Sequence, residues 1–300
     1  MRNWRRAMLR GALPVIWLAA CGGDDGGSAP PPPSPRLAFV THRTGNDDIF
    51  LMRLDGTDSV NLTRAAGMDE EPAWSPDGGA IAFVSDRSGH FEVWVMDTLG
   101  GHQTQLTNSP GNKDRPSWSP DGSQIVYARN DTLFIMMADG SGAAPVPHSE
   151  GAEEPAWSPD GHRIAFTSGG YLYLIDPDGE NARRVTSDSL GPEAEPAWSP
   201  DGGRLAFFRL TLPGDSYFVN VIDTSGAGEL NLTRALASHG VASSVEPAWS
   251  PDGKTIAFTC DIPPVQDGHN FELCLVHPDG SHFANLTQTV APEHWAAWAP

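Results

Sequence analysis

Five short apolar runs set the rhythm of the chain: IAFVS from Ile81, IVYAR from Ile125, IAFTS from Ile164, LAFFR from Leu205 and IAFTC from Ile256. Each is too short for a helix and too continuously apolar for a strand with one wet face, so each reads as a strand buried on both sides. A second run follows each one (EVWVMD, TLFIMM, YLYLID, FVNVID, ELCLVH), and then a shorter one that often ends in Leu-Thr or Val-Thr. Before each apolar run stands Pro-Ala-Trp-Ser-Pro-Asp-Gly or its Pro-Ser-Trp variant, at Pro72, Pro116, Pro155, Pro196 and Pro247. In Ser-Pro-Asp-Gly the proline presets φ for a tight turn, Ser and Asp bond the local backbone, and Gly takes the conformation that closes a hairpin. The unit is therefore a four-stranded antiparallel meander repeated every 40 to 50 residues or so, the period of a propeller blade.

The ends of the repeat region complete one another. Residues 37–63 carry a second, third and fourth strand with no Trp-Ser-Pro-Asp-Gly before them, while Ala296-Ala297-Trp298-Ala299-Pro300 supplies a first strand and stops. Joined, they make one blade from both ends and remove the open sheet edges of an unclosed array. The expected fold class is all-β, a six-bladed β-propeller over 37–300. Trp74, Trp118, Trp157, Trp198 and Trp249 end the first strands and are expected to fill the wedges between blades.

Composition agrees: 27 prolines and 32 glycines in 300 residues suit many turns and disfavour long helices. Residues 1–20 read as an export signal, with a basic start (MRNWRRAMLR) and a short apolar stretch (GALPVIWLAA). Leu18-Ala19-Ala20-Cys21 resembles the lipobox of bacterial lipoproteins, which implies that the signal is cut before Cys21 and that its thiol carries lipid. Residues 21–36, with four consecutive prolines from Pro30, read as a tether. The chain carries a net charge of −19, and −23 without the four arginines of its first ten residues. Such a surface repels phosphate backbones and disfavours nucleic acid as a partner.

WSPDG followed by IAFxS, a Gly hairpin, a strand ending near Met-Asp or Ile-Asp, and a terminal Leu-Thr resembles the TolB-type, WD40-like propeller repeat of bacterial envelope proteins. The resemblance covers residues 36–300. It implies a periplasmic or outer-membrane-facing protein on a lipid anchor, monomeric, that binds an envelope protein or peptide. Proteins of that type carry an α/β domain ahead of the propeller; here the proline tether stands in its place.

In a four-stranded meander the start of strand one and the loop between strands two and three share a face. The positions before Pro-Ala-Trp therefore gather at the axis: Glu71, Arg115, Glu154, Glu195, Glu246 and, in the closing blade, Trp295, with His294 beside it. Four carboxylates around one opening make an acidic funnel, suited to a basic peptide or, through hard oxygen ligands, to calcium. The longer connections, Arg234 to Val245 and Asp261 to Asn270, are expected on the same face. So are His42, His90, His239, His269 and His294, and the cations Arg43, Arg87, Lys113 and Arg115. None of these histidines shows a tight metal-ligand spacing, no GxSxG elbow is present, and the glycines belong to hairpins. No catalytic residue and no required cofactor is expected. The favoured function is a non-enzymatic scaffold; the alternative is a metal-dependent lyase acting on an acidic polysaccharide. Cys260 and Cys274 fall on adjacent strands of blade six, with Cys274 expected nearer Phe258 than Cys260. That diagonal leaves both a disulfide and two packed thiols open.

Overall fold

A computed structural model describes residues 36–187, 191–211, 216–262, 270–289 and 291–300. The signal segment, Cys21 and the tether up to residue 35, along with His269, lie outside the described residues. Six four-stranded antiparallel sheets form the fold, and no described helix is long and apolar enough to cross a membrane. Blade 1 joins Glu293–Trp298 to Arg36–Thr41, Asp48–Arg53 and Val60–Asn61, the closure expected from the sequence. Its register sets Leu37 against Trp298 and Thr41 against Glu293. Blades 2 to 6 begin with the strands Asp69–Trp74, Lys113–Trp118, Glu153–Trp157, Glu193–Trp198 and Ser243–Trp249.

The apolar runs are continuous because each second strand is packed from both sides. In blade 1, Ala38 and Val40 meet Ile81 and Phe83 of blade 2, whereas Leu37 and Phe39 meet Ala257 and Leu273 of blade 6. Alternation along one strand thus serves two interfaces. Blade 3 repeats the device, with Ile125 and Tyr127 facing blade 2 and Val126 and Ala128 facing blade 4.

The repeated polar residues fasten this stack. In the turn of blade 2, Ser75 Oγ donates to Asp77 Oδ1 at 2.6 Å and accepts the Ala80 N–H at 2.9 Å, and Asp77 accepts the Gly79 N–H. The Ser hydroxyl and then the backbone N–H hold these carboxyls below the usual range, Asp121 at about 2. They stay ionised, and keep their turns, well into acid. Gly78 takes φ 69°, and the space beside it is filled by Pro300 from the preceding blade, as Pro76 fills that beside Gly122. The Thr of Leu-Thr anchors the third strand, since Thr63, Thr107, Thr233 and Thr287 Oγ1 each accept a third-strand N–H at 2.9 Å, and Ser149 does so at 3.1 Å in blade 3.

Four tryptophans staple blade to blade. The indole N–H groups of Trp74, Trp118, Trp198 and Trp298 donate to Ala297, Ala73, Ala156 and Ala248 carbonyls at 2.9–3.2 Å. Trp157 bonds within its own turn to the Gly161 carbonyl, and Trp249 Nε1 has no hydrogen-bond partner among the described residues.

Two stretches depart from the expected lengths. The connection expected to run to Val245 contains a 3-10 helix, Arg234–His239, that buries Leu236; the first strand of blade 6 already begins at Ser243. In blade 5 the middle hairpin is extended, Arg204–Thr211 against Ser216–Asp223. In blade 6, Phe258 pairs with Cys274, and the disulfide forms across that diagonal, joining Cys260 to Cys274 with Cα atoms 5.9 Å apart. That separation suits a bridge. We expect thiol titration of the denatured, unreduced full chain to find at most the single thiol of Cys21; three reactive thiols would exclude the bridge.

Candidate functional site

The six first strands line a central cavity of about 280 Å³, and Glu71, Arg115, Glu154, Glu195, Glu246 and Trp295 all contribute to its wall. How they reach it is a backbone effect. In every blade the register slips at this point, and all six residues sit at φ between 48° and 58°. The slip is a β-bulge, and in five blades a proline with no N–H to offer the ladder follows it. A left-handed Glu, Arg or Trp costs on the order of 1 kcal/mol, so the arrangement must be held by what it makes possible.

It makes possible bonds between blades. Glu71 Oε2 accepts the Arg115 N–H at 2.5 Å, Glu154 Oε2 that of Glu195 at 2.8 Å, and Glu246 Oε2 that of Trp295 at 2.9 Å. Thr167 and Thr259 hydroxyls donate to the same oxygens of Glu154 and Glu246. The Arg115 guanidinium binds Glu195, lies 3.4 Å from Glu71 and stands 5.8 Å from the Trp295 ring. His294 is beside the cavity rather than in its wall, its Nδ1 3.8 Å from Glu246 and its ring 5.0 Å from Phe271. Glu195 Oε2 and Trp295 Nε1 are buried without a hydrogen-bond partner among the described residues.

One position further out stand Glu70, Asp114 and Glu153. Burial, then the neighbouring Glu71 charge, pushes Glu70 up to about 7; burial and Glu71 likewise push Asp114 up to about 6. Burial also raises Glu71 and Glu154, against the opposing pull of Arg115. A carboxyl raised in the fold favours the folded state below its ordinary value, and this advantage is lost as pH rises through the folded value. Glu70→Gln is therefore expected to stabilise the protein by on the order of 1 kcal/mol at pH 8, after discounting for solvent screening, and to change little at pH 4.5. Thermal melts at both values check this.

The other cations expected on this face are already engaged. Arg43 pairs with Glu293, Arg87 with Asp69 at 2.6 Å, and Lys113 with Glu92 at 2.9 Å, each against a buried carboxylate. Sequence reasoning brings them near the funnel but misses the acids they neutralise. A signal for two of these acids exists: Asp69 and Glu293 open the first strands of their blades, as Lys113 opens its own. His42 bonds Asp47 at 3.0 Å and His239 packs on Phe283. Among the described residues no group of three or more His, Cys, Asp or Glu is placed to hold a metal ion.

A family model for the TolB beta propeller domain matches residues 19–170 and 133–263. The chain belongs to the TolB beta propeller domain family. Its fold is similar to that of TolB from Acinetobacter baumannii, with TM-score 0.76 and 24% identity over 89% of this chain and 67% of that one. It is also similar to putative TolB from Agrobacterium tumefaciens, with TM-score 0.68 and 17% identity over 89% of this chain and 99% of that one. An oligogalacturonate lyase from Vibrio parahaemolyticus shares the fold more distantly, with TM-score 0.56 and 14% identity over 85% of this chain and 75% of that one. No curated protein matches the chain by sequence.

Proposed function

We propose that this protein is a non-catalytic cell-envelope scaffold, anchored by lipid on Cys21, whose propeller binds a basic segment of a protein or peptide partner in its acidic funnel. One observation carries the reading: four glutamates and a single arginine line the axial cavity, while Arg43, Arg87 and Lys113 on the same face are paired with buried acids. Arg115 offsets part of the charge of Glu71 and Glu195, but carboxylates still outnumber it in the wall, and the resulting negative field steers and holds a cationic ligand. Membership of the TolB beta propeller family supports a scaffold role in the envelope.

The fold similarity to oligogalacturonate lyases, one of them solved in complex with manganese, favours a second reading, a metal-dependent lyase. It meets two obstacles in this chain. An acidic funnel opposes a polyanionic substrate, and the cation inside it, Arg115, is held by Glu71 and Glu195. Calorimetry of the purified protein separates the readings. A blocked tetralysine peptide is expected to give saturable heat; oligogalacturonate with manganese is expected to give neither heat nor unsaturated product. Calcium, the other cation the carboxylates suit, is the third arm. Saturable calcium binding without peptide binding would replace the peptide by the ion, and lyase product would overturn the scaffold.

A further inference from the structure

The turn that joins the third and fourth strands of blade 6, on the face opposite the funnel, holds a histidine at each end. The same turn recurs around the ring. In blades 1, 2, 4 and 6 its first residue, Arg53, Asp97, Asp176 or His277, donates its N–H to the carbonyl four residues on. The sixth residue, Asp58, His102, Asn181 or His282, is left-handed, with φ between 52° and 56°. This backbone brings the first and sixth side chains together, and three blades fill the two positions with complementary groups. Arg53 meets Asp58 at 2.9 Å, His102 meets Asp97 at 2.7 Å, and Asn181 donates to Asp176 at 2.7 Å. Blade 6 instead sets two imidazoles face to face, with ring centroids 4.2 Å apart and planes 23° from parallel.

The hydrogen bonds around this turn settle where the proton of His282 sits. Ser281 Oγ lies 2.6 Å from Asp279 Oδ1 and 2.7 Å from His282 Nδ1. A carboxylate only accepts, so the single hydroxyl proton goes to Asp279 and the hydroxyl oxygen accepts from His282 Nδ1–H. Asp279 is ionised at neutral pH, since the Ser281 hydroxyl and then the Ser281 N–H hold it below its ordinary value. His282, the more exposed ring of the pair, is therefore fixed in the tautomer that carries its lone pair on Nε2. Metal-ligating histidines are oriented in this way, with one ring N–H given to an oxygen while the other nitrogen binds. We propose that His277 and His282 together hold a divalent transition-metal ion, copper(II) most tightly, and that Asp279 and Ser281 position His282 for it. Imidazole donors suit this class of ion, and copper stands highest in the divalent series. Two metal–nitrogen bonds of about 2.0–2.1 Å place the nitrogens about 3 Å apart, so the rings turn a little out of their stack as the ion enters. Water completes the coordination. The site is on the far side of the propeller from the funnel, and neither depends on the other.

Calorimetry of the full chain with copper(II) chloride in a non-coordinating buffer at pH 7.5 tests it. The wild-type protein is expected to take up one ion saturably. His277→Ala and His282→Ala should each weaken that uptake at least about tenfold, whereas His102→Ala, which removes an exposed imidazole from the same turn of blade 2, should leave it unchanged. Ser281→Ala keeps both imidazoles and should still weaken binding about tenfold by releasing the tautomer, with Ser281→Thr restoring it. Electron paramagnetic resonance of the copper-loaded wild type needs no variant and should show coupling to two imidazole nitrogens. No saturable uptake, no imidazole coupling, or a His282→Ala protein that binds as tightly as the wild type would overturn the site. Undiminished binding by Ser281→Ala would overturn the role of Asp279 and Ser281 while the two-imidazole site stands.

Discussion

Deleting residues 293–300 is expected to abolish cooperative unfolding and leave a protein that aggregates. The segment is the first strand of blade 1, paired with Arg36–Thr41, and its loss uncovers a sheet edge next to fully buried Leu37 and Phe39. Four links between blades go with it: the Trp298 indole on the Ala248 carbonyl, the Trp295 N–H on Glu246, the Ala297 carbonyl that accepts from Trp74, and Pro300 against Gly78. Arg43 also loses Glu293. An open ring presents unpaired backbone and apolar surface at two edges at once. Thermal melting by circular dichroism together with size-exclusion chromatography reads the outcome. A truncated chain that stays monomeric and melts like the full one would show that the ring does not depend on this closure.

Lys113→Met is expected to cost about 3–5 kcal/mol, the penalty for stranding a buried partner charge. Lys113 is 1% exposed and its Nζ donates to Glu92 Oε1, to the Gly111 carbonyl at 2.7 Å and to the Ser109 carbonyl. Glu92 is 3% exposed and, among the described residues, retains only the Thr107 hydroxyl when the ammonium is removed. Methionine fills the space but offers no charge, so the loss is electrostatic rather than a cavity. At about 2–4 °C per kcal/mol for a domain of this size, Tm falls on the order of 10 °C. Adding Glu92→Gln to Lys113→Met should restore part of the loss, because the stranded group is then neutral. Denaturant titration that places Lys113→Met within about 1 kcal/mol of wild type would show that this pair does not tie blades 2 and 3.

Whatever repeats is legible in the chain. Apolar runs such as Ile81–Ser85 announce strands packed from both sides, and Trp298 without a following Asp-Gly announces the closing strand. The gathering of Glu71, Glu154, Glu195 and Glu246 at the axis follows from counting positions before Pro. The way they are held does not. A left-handed backbone at Glu or Trp has no residue-type signal, since glycine and asparagine are the types that favour it. The N–H groups of Arg115, Glu195 and Trp295 that the glutamates accept therefore leave no trace in the sequence. Lys113 misleads for a related reason: a lysine in an acidic face reads as a surface cation, and only the fold shows that Glu92 meets it from the neighbouring blade. The blade 5 hairpin exceeds its expected length because Leu210-Thr211 and Ser216-Tyr217 continue the ladder past the point where the repeat usually turns.

Affinity for a cationic ligand, measured on funnel variants, bears most directly on the function proposed for this propeller. A fluorescein-labelled tetralysine peptide is titrated by anisotropy at pH 8 and low salt into the wild-type protein, Glu154→Gln, Glu195→Gln and the double variant, with a thermal melt of each. Saturable binding by the wild type is expected, weakened roughly three- to tenfold by each substitution and by added salt or a shift to pH 5, where Glu70 and Asp114 take up protons, while all four proteins keep a cooperative melt. No saturable binding by the wild type, or a double variant that binds as tightly as the wild type, would contradict the acidic funnel as a binding site.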